Sequence, residues 1–156
     1  MNPYCAGCLH QIEVALQKTL DIMQFLKDED LSFRPTPGKM SIQELLAHIA
    51  TICKTDYYIS LGYSEKEMTD IYEEIQLASL EKMKTEMKTS FAMLKQAYEH
   101  YTDEELQQSV TSYWGVSYTR FEWLVEITAH IYHHRGQLHT VLTHCYGKDY
   151  NLALFE

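Results

Sequence analysis

His130-Ile131-Tyr132-His133-His134-Arg135-Gly136-Gln137-Leu138 lies inside a long run with helical apolar spacing, and its reading decides the fold. The run opens at Thr119-Arg-Phe-Glu122, read as a capping box, and ends near Tyr146 ahead of Gly147. At about 100° per residue, His130 and His134 fall about 40° apart, one turn apart on one face. That face is marked as inward by Trp123, Ile127, Leu138 and Val141. Two imidazoles stacked in this way suit one metal ion, and Gly147 is a typical residue just past a helix end.

Three more helices follow on working outward. Leu9, Ile12, Leu16, Leu20, Met23 and Leu26 space a helix over roughly 5–27. Phe33-Arg-Pro-Thr-Pro-Gly38 breaks the chain, because proline cannot continue a helix and restricts its predecessor. Ser41-Ile-Gln-Glu44 is a capping box that starts a helix running to about Tyr58, with Ile42, Leu45, Leu46, Ile49 and Ile52 as its stripe and His48 at its edge. A short helix is expected over 65–72 and a long one over roughly 75–101, faced by Leu80, Met83, Met87, Phe91, Leu94 and Tyr98. Methionines at that spacing read as core filler. Thr102-Asp-Glu-Glu105 has the pattern of a cap. Thr111 to Tyr118 has strand-like composition without an evident partner and reads as a loop. Four long helices with almost no strand make an all-α four-helix bundle, expected as a single domain over 1–156.

Composition narrows the function. Thirteen basic and 22 acidic side chains leave a net charge of −9, and the densest basic stretch, 82–88, is interleaved with Glu81 and Glu86. That reads as a solvated helix face and argues against nucleic-acid binding. No apolar run is long enough to span a bilayer, and the first residues lack a signal-peptide pattern, so cytoplasmic residence is expected. Cys5-Ala-Gly-Cys8 is one C-x-x-C without a second pair, and it reads as two free thiols near the start of the first helix. Cys53 and Cys145 fall at apolar-face positions and read as small core residues.

His48, His130 and His134 together form a candidate facial metal site with an open position. Spacing alone equally admits three core histidines bonded to carbonyls or carboxylates. His133 is placed at the rim or against a neighbouring helix, and Arg135 is structural or faces a substrate. His10, His100 and His139 lack a partner spacing; His144 shares the His134 side and remains a cavity-lining candidate. Glu44 and Glu126 each precede a ligand candidate by one turn. Glu44 is committed to its cap, whereas Glu126 is left as either a solvated group or an orienting one. No H-E-x-x-H, paired E-x-x-H, G-x-S-x-G, P-loop or G-x-G-x-x-G occurs. Glu126, Tyr57, Tyr132 and Arg135 are candidate bases, none assignable from sequence, and no catalytic residue is named.

The block from Phe33 to His48, followed by Ala129-His130-Ile-Tyr-His-His134-Arg-Gly-Gln-Leu138, resembles the DinB/YfiT family of metal-dependent enzymes. The resemblance implies an up-down-down-up helix order and a divalent metal, zinc or nickel, on His48, His130 and His134. It further implies transferase or isomerase chemistry with a low-molecular-weight thiol as cosubstrate. One departure is Met40, where many relatives carry Trp, which bears on the shape of the pocket. The expected function is thiol transfer at a tri-His centre. A metal-dependent hydrolase and a non-catalytic metal- or ligand-binding protein are the alternatives. A small-molecule substrate is the expected partner, a homodimer is admitted, and neither nucleic acid nor membrane is expected. Duplex DNA titrated at physiological salt should therefore give no salt-sensitive complex at sub-micromolar concentration, as fluorescence anisotropy would report.

Overall fold

The computed structural model describes residues 1–155. Its long helices are α1 (Pro3–Met23), α2 (Ile42–Ser60), α4 (Leu80–His100) and α6 (Arg120–Thr140), with α3 (Glu65–Glu74) and α5 (Asp103–Leu106) between them. Contacts set their directions. Tyr4 meets Phe121 and Gln11 meets Tyr132, so α1 and α6 run parallel. Gln43 reaches Leu77 and Tyr57 meets Tyr101, so α2 and α4 also run parallel. His48 faces His134 while Asp56 faces His130, so α2 and α6 are antiparallel. The order is up-down-down-up, as expected. Joining α2 to a parallel α4 requires a return crossing, which the segment carrying α3 provides.

The helix starts follow local chemistry. Asn2 accepts from the Tyr4 and Cys5 amides and Pro3 stands in the first turn, so α1 begins two residues earlier than its apolar spacing indicates. Ser41 accepts from the Glu44 amide while Glu44 returns to the Ser41 amide. Ser64 with Glu67 and Thr102 with Glu105 form the same box. Thr119 caps α6 through the Glu122 amide, but the pairing is one-sided, and Thr119 also ends a strand.

Three expectations are corrected. The third long helix starts at Leu80 rather than near Ile75, because Ser79 caps it and the Asp28 carboxylate accepts from the Leu80 amide at 3.0 Å. Residues expected as a loop form a hairpin, β1 (Ser109–Thr111) against β2 (Ser117–Thr119), with Val110 opposite Tyr118. Its partner strand is the other end of the same segment, and three residues are too few to display a period of two. Gly115, at φ +94°, closes the turn, and the Trp123 indole donates to the Val110 carbonyl at 3.1 Å. Finally, Cys145 is exposed, not core. The last turn, Val141–Cys145, widens to π geometry, so each residue advances less around the axis and Cys145 leaves the stripe. Gly147, at φ +71°, then ends the helix as expected.

The core is built by Leu9, Ile12, Leu16, Ile42, Leu46, Ile49, Met83, Met87, Leu94, Ile127, Ile131 and Leu138, all nearly inaccessible. Cys53 and Cys5 belong to it as well, and all four thiols are free. Burial, with Cys8 alongside, pushes the Cys5 thiol up to about 11, so neither thiolate chemistry nor ready oxidation is favoured there. No helix among the described residues is long and apolar enough to cross a membrane.

The chain end is tied down by buried Asp30, which accepts from Lys148 Nζ at 2.8 Å, Tyr146 Oη at 2.5 Å and the Lys27 amide at 2.9 Å. Burial opposes its charge, but these donors prevail and hold its pKa at about 2. An unfolded aspartate titrates at about 3.9. The stabilisation is therefore complete above about pH 4 and fades as the pH falls towards 2. Asp30→Ala should cost about 1–3 kcal/mol in urea unfolding at pH 7. The gap to the unsubstituted protein should close as the pH approaches 2.

Candidate metal centre

The antiparallel pair α2 and α6 carries the site. On α2, His48 sits between buried Leu45 and Ile49; on α6, His130 and His134 flank buried Ile131. Apolar packing on both sides turns the three half-buried rings towards each other. His48 Nε2 lies 3.2 Å from His130 Nε2 and 3.1 Å from His134 Nε2. All three nitrogens fall within 4.8 Å of one another. The expected trio is thus brought together, with the three Nε2 atoms facing one another.

Protons decide what this cluster can hold. His130 Nδ1 donates to Asp56 Oδ2 at 2.7 Å, and His134 Nδ1 donates to Gln137 Oε1 at 2.7 Å. With Nδ1 protonated, each neutral ring turns a bare lone pair inward at Nε2. His48 carries at most one proton on Nε2 and cannot satisfy both neighbours. Three Nε2 atoms facing one point without enough protons is a donor set for a cation. Metal–nitrogen bonds of about 2.0–2.1 Å at angles of about 90–110° set such nitrogens about 2.8–3.4 Å apart, which the two short separations match. The residues present fit a divalent ion with a position left open.

The electrostatics agree with that reading. Burial lowers the His48 pKa to about 4, helped by His134 and His130. Burial also lowers His134, against the pull of Gln137. The hydrogen bond to Asp56 raises His130 despite burial. Asp56 is 7% exposed, so its carboxylate spends its charge on this one ring.

Two of these partners were missed in the sequence. Asp56 had a signal: an acid in an apolar run, two turns after His48. Gln137 had one as well, standing three residues after His134 on the same face. The orienting role was instead weighed for Glu44 and Glu126. Glu44 is spent on its cap and on Arg34, 2.9 Å away. Glu126 is half-buried and close to Asp56 and His130, without taking the Nδ1 proton. Burial and the Asp56 charge raise its pKa.

The remaining candidates separate cleanly. His133 is exposed at the rim, its ring centroid 4.8 Å from that of His134. Arg135 is buried and structural: it lies over the Tyr132 and Phe155 rings and donates to the Leu154 carbonyl at 2.5 Å. Tyr132 bonds Gln11 and Tyr57 bonds Tyr101, so neither faces the cluster. His144 is exposed and stays outside it.

One side of the site is open. A cleft of about 670 Å³ lies between α6 and the loop before α2, and both His133 and His134 line it. Met40 is part of its wall, so the departure noted at that position does bear on the pocket.

Known structures share this architecture. A DinB-family protein from Exiguobacterium sibiricum is 29% identical, with a TM-score of 0.87 and 99% of each chain covered. YfiT from Bacillus subtilis, described as a probable metal-dependent hydrolase with an unusual four-helix bundle topology, is 15% identical with a TM-score of 0.73, covering 96% of this chain and 91% of that one. A mycothiol-dependent maleylpyruvate isomerase is 13% identical with a TM-score of 0.63, covering 88% of this chain and 63% of the isomerase. At those last two identities the likeness is one of fold. Comparison with curated proteins yields no match. The DinB superfamily matches residues 11–138, a span that takes in all three histidines, and the chain belongs to that superfamily.

Proposed function

We propose that this protein is a mononuclear divalent-metal-dependent enzyme, a transferase whose low-molecular-weight thiol cosubstrate is activated at His48, His130 and His134. The observation that supports this is the convergence of three Nε2 lone pairs, two of them fixed by Nδ1 bonds, beside a cleft. Zinc or nickel suits a set of three imidazoles. When bound, such an ion supplies positive charge that favours the anionic form of a thiol or water in its open position. The chain's own residues do the rest. Asp56 and Gln137 hold two rings in the ligating tautomer. The packing of Leu45, Ile49 and Ile131 prevents the rings from turning away. The cleft admits a second molecule beside the cluster, since about 670 Å³ falls within the range of small-molecule sites. Hydrolysis is the alternative, in which water takes the place of the thiol.

A thiol such as cysteine or glutathione, with 1-chloro-2,4-dinitrobenzene as electrophile, separates these readings. In transfer, sulfur bonds to the ring carbon, chloride leaves, and the thiol proton passes to buffer. Thioether should form faster than the uncatalysed background only with metal-loaded protein. Formation of dinitrophenol without thiol would favour hydrolysis. Undiminished turnover in the His48→Ala/His130→Ala/His134→Ala variant would sink the metal-centred mechanism.

Zinc that binds only the folded chain should raise its melting temperature; at 100 times Kd the gain is about 2.7 kcal/mol. His130→Ala should lose most of that rise in calorimetry, whereas the exposed His100→Ala should keep it. Asp56→Asn should weaken zinc binding about 10- to 100-fold in a chelator competition. Glu44→Gln, which alters the helix cap and the Arg34 pair but no cluster contact, should leave zinc affinity unchanged.

A further inference from the structure

The cleft beside His134 has an unexpected charge character. The protein carries 22 acidic side chains against 13 basic ones, yet among the described residues no Asp or Glu lines this cavity. Glu44, next to the lining residue Leu45, is turned onto Arg34 at 2.9 Å. The polar groups on the wall are Thr36, Lys39, His133, His134, Gln137 and Thr140, and two of them offer uncommitted donors. Lys39 lines it, and its ammonium has no anionic partner among the described residues. Gln137 spends its carbonyl oxygen on His134, which leaves its NH₂ group to donate elsewhere. The remaining wall is largely apolar, with Pro35, Met40, Leu45 and Val141 along it.

The loop that presents Lys39 and Met40 is braced from within. Gly38 turns the chain at φ +78°, a conformation costly for other residues. The Lys39 amide donates to the Thr36 carbonyl at 3.1 Å, while the Arg34 guanidinium donates to the Lys39 carbonyl. Lys39 and Met40 are exposed. Their backbone is fixed while their side chains stay adaptable, which suits recognition of a small molecule over a packing role.

We propose that this cleft binds a small-molecule carboxylate with an apolar body, its anion held by Lys39 and the Gln137 NH₂ group and its hydrocarbon laid along Met40, Leu45 and Val141. The proposal deepens the metal-centre reading, because Gln137 joins the cleft to His134 and places such a ligand beside the cluster. Met40 sets how much hydrocarbon fits. A bulkier residue there shortens the apolar wall without touching the donors.

Octanoate, octylammonium and butyrate, titrated into metal-free and zinc-loaded protein by calorimetry, test this. Octanoate should bind more tightly than octylammonium in both forms, and the preference should shrink as salt rises. Lys39→Glu should weaken octanoate about three- to tenfold in the metal-free protein, with octylammonium unaffected or strengthened. Met40→Trp should weaken octanoate more than butyrate. Zinc affinity should be unchanged in both variants, which also shows that they fold. Equal binding of octanoate and octylammonium would overturn the proposal. So would octanoate binding that needs zinc and ignores Lys39→Glu, since the carboxylate would then sit on the ion. The two readings fail separately. Carboxylate selectivity in a protein that transfers no thiol keeps the cleft and sinks the transferase, whereas thiol transfer without selectivity does the reverse.

Discussion

Everything in the site depends on the register between α2 and α6. His48 must stand opposite His134 while Asp56 stands opposite His130, and eight residues separate the two contacts along α2. A slip of one residue rotates a helix face by about 100° and would carry the polar groups out of line. Nothing polar in the cluster is strong enough to hold that register alone. It is held by Leu45, Ile49 and Ile52 on one helix and Ile127, Ile131 and Leu138 on the other, all nearly inaccessible. Each such side chain contributes about 1.5–3 kcal/mol on burial. The apolar stripe thus pins the geometry, and the histidines occupy the edge of a surface that is already fixed.

Topology makes this pairing available. With α1 parallel to α6 and α2 parallel to α4, α2 is antiparallel to α6 and lies against it. A plain up-down bundle joins neighbours by short turns; here α3 and its flanks carry the chain back so that α2 and α4 point the same way. The hairpin does comparable work at the start of α6. Trp123 is 2% exposed and its indole is bonded to β1, so the first turn of the helix that carries His130 and His134 is docked at its base. At the far end, buried Arg135 and the Asp30 cluster fasten the chain after α6 to the bundle.

What the sequence disclosed follows from the range of each interaction. The long helices were legible because 3.6-residue periodicity and capping boxes are local signals. The histidine trio was half legible: His130 and His134 share a face by spacing alone, while His48 was tied to them only through its place on a stripe and the family resemblance. The hairpin was misread because two three-residue strands show no pattern. Cys145 was misplaced because one π turn shifts the wheel. Asp56 was missed as a partner because the identity of a hydrogen-bond acceptor across 74 residues is a tertiary fact, whereas Gln137, three residues after His134, was a local partner that the spacing allowed. The carboxylates one turn before His48 and His130 drew attention by spacing. One of them is spent on a helix cap, a competing local demand that the same residues also spelled out.

The arrangement of charge gives the site a direction. Asp56 and Glu126 both stand beside His130, and neither lines the cleft. The cleft borders His134 instead, whose partner is the neutral Gln137 amide. Among the described residues, the carboxylates beside the cluster therefore stand on one flank, where Asp56 serves the His130 ring. The opposite flank offers donors and apolar surface. Three neutral imidazoles would leave a divalent ion its full charge, so under the proposed function the side towards the cleft is the side that would favour an anion. The chain as a whole carries a charge of −9 and repels anions at long range. Keeping carboxylates off this one wall removes that repulsion locally, within about a Debye length. Under the reading proposed for the cleft, selectivity for an anion would rest as much on where the acids are withheld as on where Lys39 is placed.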